Sequence, residues 1–100
     1  MSRVILAPQA EADLMAITEY YRDKNPDAGI RLIRTIRDRC RQLGRLTRSV
    51  TGRPRDDIGR GIRSVVSGRY VIFFRRRGDR VDILRIVHGS RDIGPDMFPG

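Results

Sequence analysis

What this chain of 100 residues is short of narrows its chemistry before any motif is read. It has one cysteine, Cys40, so no internal disulfide can staple it, and that residue sits in an apolar helical stripe, where a free cysteine acts as a small buried hydrophobe. It has one histidine, His88, and two glutamates, Glu11 and Glu19, so candidates for general acid–base work are few. Zinc-ligand spacing is missing, and no metal or other cofactor is expected. Apolar runs reach only five or six residues, far below the ~20 that cross a bilayer. With no secretion-signal pattern at the N-terminus, these absences point to a cytoplasmic protein that does not enter membranes. One hundred residues suit a single domain, 1–100, burying roughly 60–70% of the surface its unfolded chain exposes.

What the chain has in excess is positive charge. Its net charge is +9 and its pI about 11.3, values that attract polyanions or an acidic protein. The first thirty residues come to −2, so the remaining seventy carry +11. Of the 21 cationic residues, Lys24 alone is lysine. Arginine suits planar, bidentate contacts to carboxylate or phosphate, and compositional bias of the genome would produce the same excess.

Along the chain, Arg3-Val4-Ile5-Leu6 is a β-capable run that stops before Pro8, as an edge strand entering a helix does. Ala10, Leu14, Ile17 and Tyr21 then repeat on one face of a helix near 8–24, with Glu11, Asp13 and Glu19 off that stripe. Asn25 is placed to cap a second helix whose first residue is Pro26. That helix runs to about Leu43 on an apolar face of Gly29, Ile33, Ile36, Cys40 and Leu43, and Gly44 is positioned to end it. On its opposite stripe lie Arg31, Arg34, Asp38, Arg41 and Arg45. The short linker makes the two helices an antiparallel hairpin whose joint apolar surface must cover a sheet.

Residues 45–60 read as an irregular basic loop, after which β-branched and aromatic residues take over. Strands are expected near 61–67, 69–76 and 80–88, with hairpin turns at Ser67-Gly68 and Gly78-Asp79. Strict alternation in the last strand would put Leu84 and Ile86 on one face and Val81, Ile83, Arg85 and Val87 on the other. An arginine among aliphatics suggests a face covered by a partner. The expected fold is therefore α+β: an N-terminal edge strand and a helical hairpin packed on an antiparallel sheet of about four strands.

The runs Gly61-Ile62-Arg63-Ser64, Gly68-Arg69-Tyr70-Val71-Ile72-Phe73-Phe74 and Asp82-Ile83-Leu84-Arg85-Ile86-Val87-His88-Gly89-Ser90-Arg91-Asp92, in this order behind a strand and two helices, closely resemble the RelE/ParE family of toxins from type II toxin–antitoxin pairs. The resemblance spans nearly the whole chain, and it implies one of two activities. RelE-like members are ribosome-dependent messenger-RNA endoribonucleases, which need a base for the 2′-hydroxyl, a proton donor for the leaving oxygen and cations for the phosphorane charge. In that reading Arg63, Tyr70, Arg85 and His88 would form the catalytic set. The chain lacks the lysine cluster and the sheet-borne glutamate of several nuclease members, and arginine is a poor base because it stays protonated.

The ending His88-Gly89-Ser90-Arg91-Asp92 resembles ParE-type members, which poison DNA gyrase. That reading needs no catalytic residue; Arg69, His88 and Arg91 would contact the target. The family also implies an acidic, ParD-like antitoxin in a hetero-oligomer with the toxin, for which Arg31, Arg34, Arg41 and Arg85 are the expected contacts. A plain nucleic-acid-binding module rests on charge alone and would give only salt-sensitive, unspecific binding.

Overall fold

Local chemistry sets the elements that position everything else. The structure is a computed structural model that describes residues 3–45 and 52–98. Strand β1 (Arg3–Leu6) leads through Ala7 into helix α1 (Pro8–Arg22), whose first position is taken by Pro8, where a missing N–H costs no hydrogen bond. Ala10, Leu14 and Ile17 of α1 are buried, as their spacing requires. The Asn25 side chain accepts a hydrogen bond from the Ala28 N–H at 3.1 Å, capping helix α2 (Pro26–Arg45). The helices approach closely at Gly29, where an added Cβ would lie 2.7 Å from the Tyr21 Cβ. Gly44 does not end α2. It is buried inside the helix and does not adopt the left-handed conformation of a C-terminal cap.

The sheet has five strands in the order β1-β5-β4-β3-β2, with β2 (Arg53–Pro54), β3 (Ile62–Ser67), β4 (Tyr70–Arg77) and β5 (Arg80–His88) joined antiparallel. The α+β hairpin-on-sheet arrangement is as the sequence indicates, but the sheet is mixed rather than wholly antiparallel. β1 is an edge strand that runs parallel to β5, pairing Arg3 with Arg80 through Leu6 with Ile83. The two residues of β2 escape sequence patterning because such a short segment shows no period. Gly68 and Gly78, each at φ +60°, open the two tight hairpins, where a side chain would be strained.

A β-bulge between Phe73 and Phe74 breaks the simple alternation expected of β5: Phe73 pairs with Arg85 and Phe74 with Ile83, leaving Leu84 without an opposite residue. Val81, Ile83 and Ile86 therefore join the core under the helices with Leu14, Ile36, Cys40 and Phe74, while Leu84 and Val87 pack on the other face. That second face carries part of this chain itself. Ile93, Met97 and Phe98 of the C-terminal segment lie on Phe73 and Val87, with the Phe98 and Phe73 ring centroids 5.2 Å apart.

Candidate functional site

The strand order brings the Gly68-Arg69 turn next to the end of β5, and a hydrogen bond of 2.8 Å from the Gly89 N–H to the Arg69 carbonyl holds them together. Tyr70 is the cross-strand partner of His88, their ring centroids 5.3 Å apart in an edge-to-face contact. The Arg91 N–H donates to the His88 carbonyl at 3.0 Å, folding Arg91 back over the strand end. Arg69, His88 and Arg91 thus share one end of the sheet. Beside them opens a cleft of about 680 Å³ with Tyr20, Tyr21, Tyr70, Arg69, His88 and Ser90 in its walls.

His88 is already engaged inside its own turn. Its Nδ1 accepts the Ser90 N–H at 3.1 Å and lies 2.7 Å from the Ser90 hydroxyl, so hydrogen bonding assigns the proton of the neutral ring to Nε2. Such a ring offers a donor to a ligand and no free lone pair for a base. Burial, reinforced by the neighbouring Tyr21 and Tyr20, pushes the Tyr70 phenol up from its ordinary value, so it stays protonated and also donates.

The remaining residues singled out in the sequence are dispersed. Arg63 lies on β3 opposite Phe74 and donates to the Gly52 carbonyl at 2.6 Å. Arg85 is turned toward α1, where Nε and Nη2 donate to the two carboxylate oxygens of Asp13 at 2.8 and 2.9 Å, and its Nη1 reaches the Met97 carbonyl at 3.3 Å. Asp13 also accepts the Ile86 N–H at 2.8 Å, and the two side chains of the pair are only 13% and 14% exposed. This carboxylate raises the Arg85 guanidinium above its ordinary value, and the arginine is not an open cation on the sheet face. On α2, Arg31, Arg34 and Arg41 are exposed; Arg41 pairs with Asp38, whereas Arg31 and Arg34 make no ion pair among the described residues.

Against known proteins, residues 4–93 match the family model described as ParE toxin of type II toxin-antitoxin system, parDE. This chain belongs to the ParE toxin family. A solved structure described as the chromosomal ParDE toxin–antitoxin system from P. aeruginosa is similar to it, with a TM-score of 0.78, 25% sequence identity, and coverage of 88% of this chain and 96% of that one. No curated protein matches. The ParE fold is thus a helical hairpin on a sheet, its activity is that of a toxin, and its system supplies an antitoxin partner. Among the described residues no helix is long and apolar enough to cross a membrane.

Two features of this ParE chain escape sequence patterning. Asp13 looks like one more polar residue on α1, and the signal for its role is Arg85 itself, since an arginine set among aliphatics on a central strand requires a carboxylate. Tyr20 enters the cleft because only one of the adjacent Tyr20 and Tyr21 can face the core. The Tyr-Tyr doublet is the readable sign.

Proposed function

We propose that this ParE toxin acts by binding DNA gyrase and that an acidic ParD-like antitoxin neutralises it in the cytoplasm. One observation carries the choice over ribonuclease activity: the four side chains a nuclease would need do not converge. Tyr70 and His88 meet, but Arg63 is held at Gly52 and Arg85 is spent on Asp13. Phosphoryl transfer requires the base, the acid and the cations within reach of one phosphate. The lone pair of His88 is occupied as well.

Binding asks for something different, namely exposed arginine and aromatic side chains clustered in one patch. Arg69, His88, Arg91 and the exposed Tyr20 supply that patch at the end of the sheet. The test is to express the chain without its antitoxin and follow plasmid topology and transcript integrity together. Gyrase inhibition leaves transcripts intact while supercoiling fails or DNA breaks accumulate, and His88→Gln then costs only the contacts it removes. Ribosome-dependent cleavage abolished by His88→Gln, a loss of ~10²–10⁴-fold, would overturn the proposal in favour of a RelE-like nuclease.

A further inference from the structure

On the face of the sheet away from the helical hairpin lies a second cleft of about 680 Å³. Ile58, Ile62, Leu84 and Phe98 give it an apolar lining, and Arg60 and Arg75 bring positive charge. The start of α1, from Ala7 to Gln9, forms part of the wall. Ala7 stands at the N-cap and has no side chain that could hydrogen-bond to the first turn, so the N-cap residue leaves this positive helix end uncapped.

Arg75 is the telling residue. Its Nε is buried and has no hydrogen-bond partner among the described residues, although Arg75 is the cross-strand partner of Asp82 in the β4–β5 register. Asp82 is already taken by Arg77 and Arg80, at 3.4 and 2.8 Å. The other carboxylates in the neighbouring loop are committed too: Asp57 pairs with Arg55 at 3.0 Å, and Asp56 accepts the Gly61 N–H at 3.3 Å. No ion pair neutralises Arg75 among the described residues, and the guanidinium lines the cleft with its Nη2 toward Gly59, so the end of its fork, rather than the buried Nε, is what an incoming carboxylate would meet. The planar fork of an arginine suits a carboxylate in two-point contact, and the lining beneath suits a large apolar side chain.

We propose that this cleft is the anchor site for an acidic segment of the antitoxin, one that presents an Asp or Glu to Arg75 beside a large apolar side chain that fills the floor. The proposal rests on the reading that an acidic polypeptide neutralises this toxin. Charge complementarity selects that occupant: the chain carries +9 overall, and the cleft adds two arginines and an uncapped helix start to an apolar seat. The cleft and the α2 arginines lie on opposite sides of the sheet. A segment that orders only on binding can reach both by wrapping round the molecule.

The experiment uses the full chain and the antitoxin encoded beside it, with association and dissociation rates measured for the wild type, Arg75→Met, Arg75→Lys and Arg60→Met. Arg75→Met keeps the apolar stem and removes a charge that pairs with no carboxylate among the described residues, so its thermal midpoint should not fall. Its affinity should drop by about 10²-fold, chiefly through faster dissociation. Arg75→Lys retains charge without the fork and should lose less, and Arg60→Met at the rim less again. In the wild-type complex, methyl resonances of Ile58, Ile62 and Leu84 should shift. Binding by Arg75→Met within twofold of wild type, or methyl groups undisturbed by the antitoxin, overturns the anchor site and leaves the toxin–antitoxin reading standing. An antitoxin that does not bind the wild-type chain overturns that reading itself.

Discussion

Removing the Asp13 carboxylate should be among the most damaging single changes to this fold. The perturbation is Asp13→Ala, which deletes the acceptor of two Arg85 hydrogen bonds at 2.8 and 2.9 Å and of the Ile86 N–H at 2.8 Å. Breaking a buried ion pair from one side costs about 3–5 kcal/mol, since the remaining charge is left uncompensated. Slight exposure of this pair admits some water, which sets the expectation at the lower end, about 3 kcal/mol. For a domain of this size that lowers the thermal midpoint by about 12–24 °C, at roughly 4–8 °C per kcal/mol. Asp13→Asn keeps an acceptor for the Ile86 N–H and should lose less, about 1–2 kcal/mol. Replacing both partners, Asp13→Leu with Arg85→Leu, should recover part of the loss, because an apolar pair of similar volume often substitutes for a buried ion pair, while the Ile86 N–H still lacks its acceptor. Urea unfolding followed by far-UV circular dichroism measures all three. An Asp13→Ala chain within about 0.5 kcal/mol of wild type would behave like an ordinary surface substitution and refute the reasoning.

Two further outcomes follow from the helices. Burial pushes the Cys40 thiol up to about 11 against the opposing pull of Arg37 and Arg41, so the folded chain keeps a proton that the unfolded chain loses near pH 9. Its contribution is complete below pH 9 and disappears as pH rises toward about 11; an unfolding series from pH 8 to 11 should show this loss in the wild type and less of it in Cys40→Ala, and equal alkaline slopes would count against it. On the exposed stripe of α2, charge reversal at Arg34 should slow antitoxin association more than reversal at Arg41, which Asp38 already neutralises, and should flatten the salt dependence. Stopped-flow association rates unchanged at low salt would mean that the stripe meets only solvent.

The helices were legible in the sequence because their signals are local. Leu14, Ile17, Ile36 and Cys40 fall at helical spacing and are all buried, and Asn25 with Pro26 marks a start that the structure realises as a side-chain cap. The hairpins were legible for a similar reason, since Gly68 and Gly78 announce turns that require positive φ. What stayed hidden depends on residues distant in sequence. Parallel pairing of β1 with β5 joins Arg3 to Arg80, and no pattern within either strand records it. The bulge at Leu84 shifts one residue against its neighbours and thereby sends Ile86 to the helix side, contrary to alternation. At the candidate site, His88 and Tyr70 could be named from the chain, and Arg91 could be placed near them. Commitment of Arg85 to Asp13 could not, because it spans the whole order of elements.

The place of β5 between β1 and β4 also bears on how the toxin comes into being during synthesis. The strand that the N-terminal residues need, and on which the helical hairpin closes, is made after every other strand. Until residues 80–88 have emerged, β1 lacks its neighbour and Asp13 lacks both Arg85 and the Ile86 N–H. Contacts so far apart in sequence form slowly, because the intervening chain must be ordered first. A growing chain therefore keeps its apolar helix faces uncovered until late, and a fragment stopped before β5 has no route to the folded toxin. Harmful activity is thereby reserved for chains translated almost to the end of the last strand.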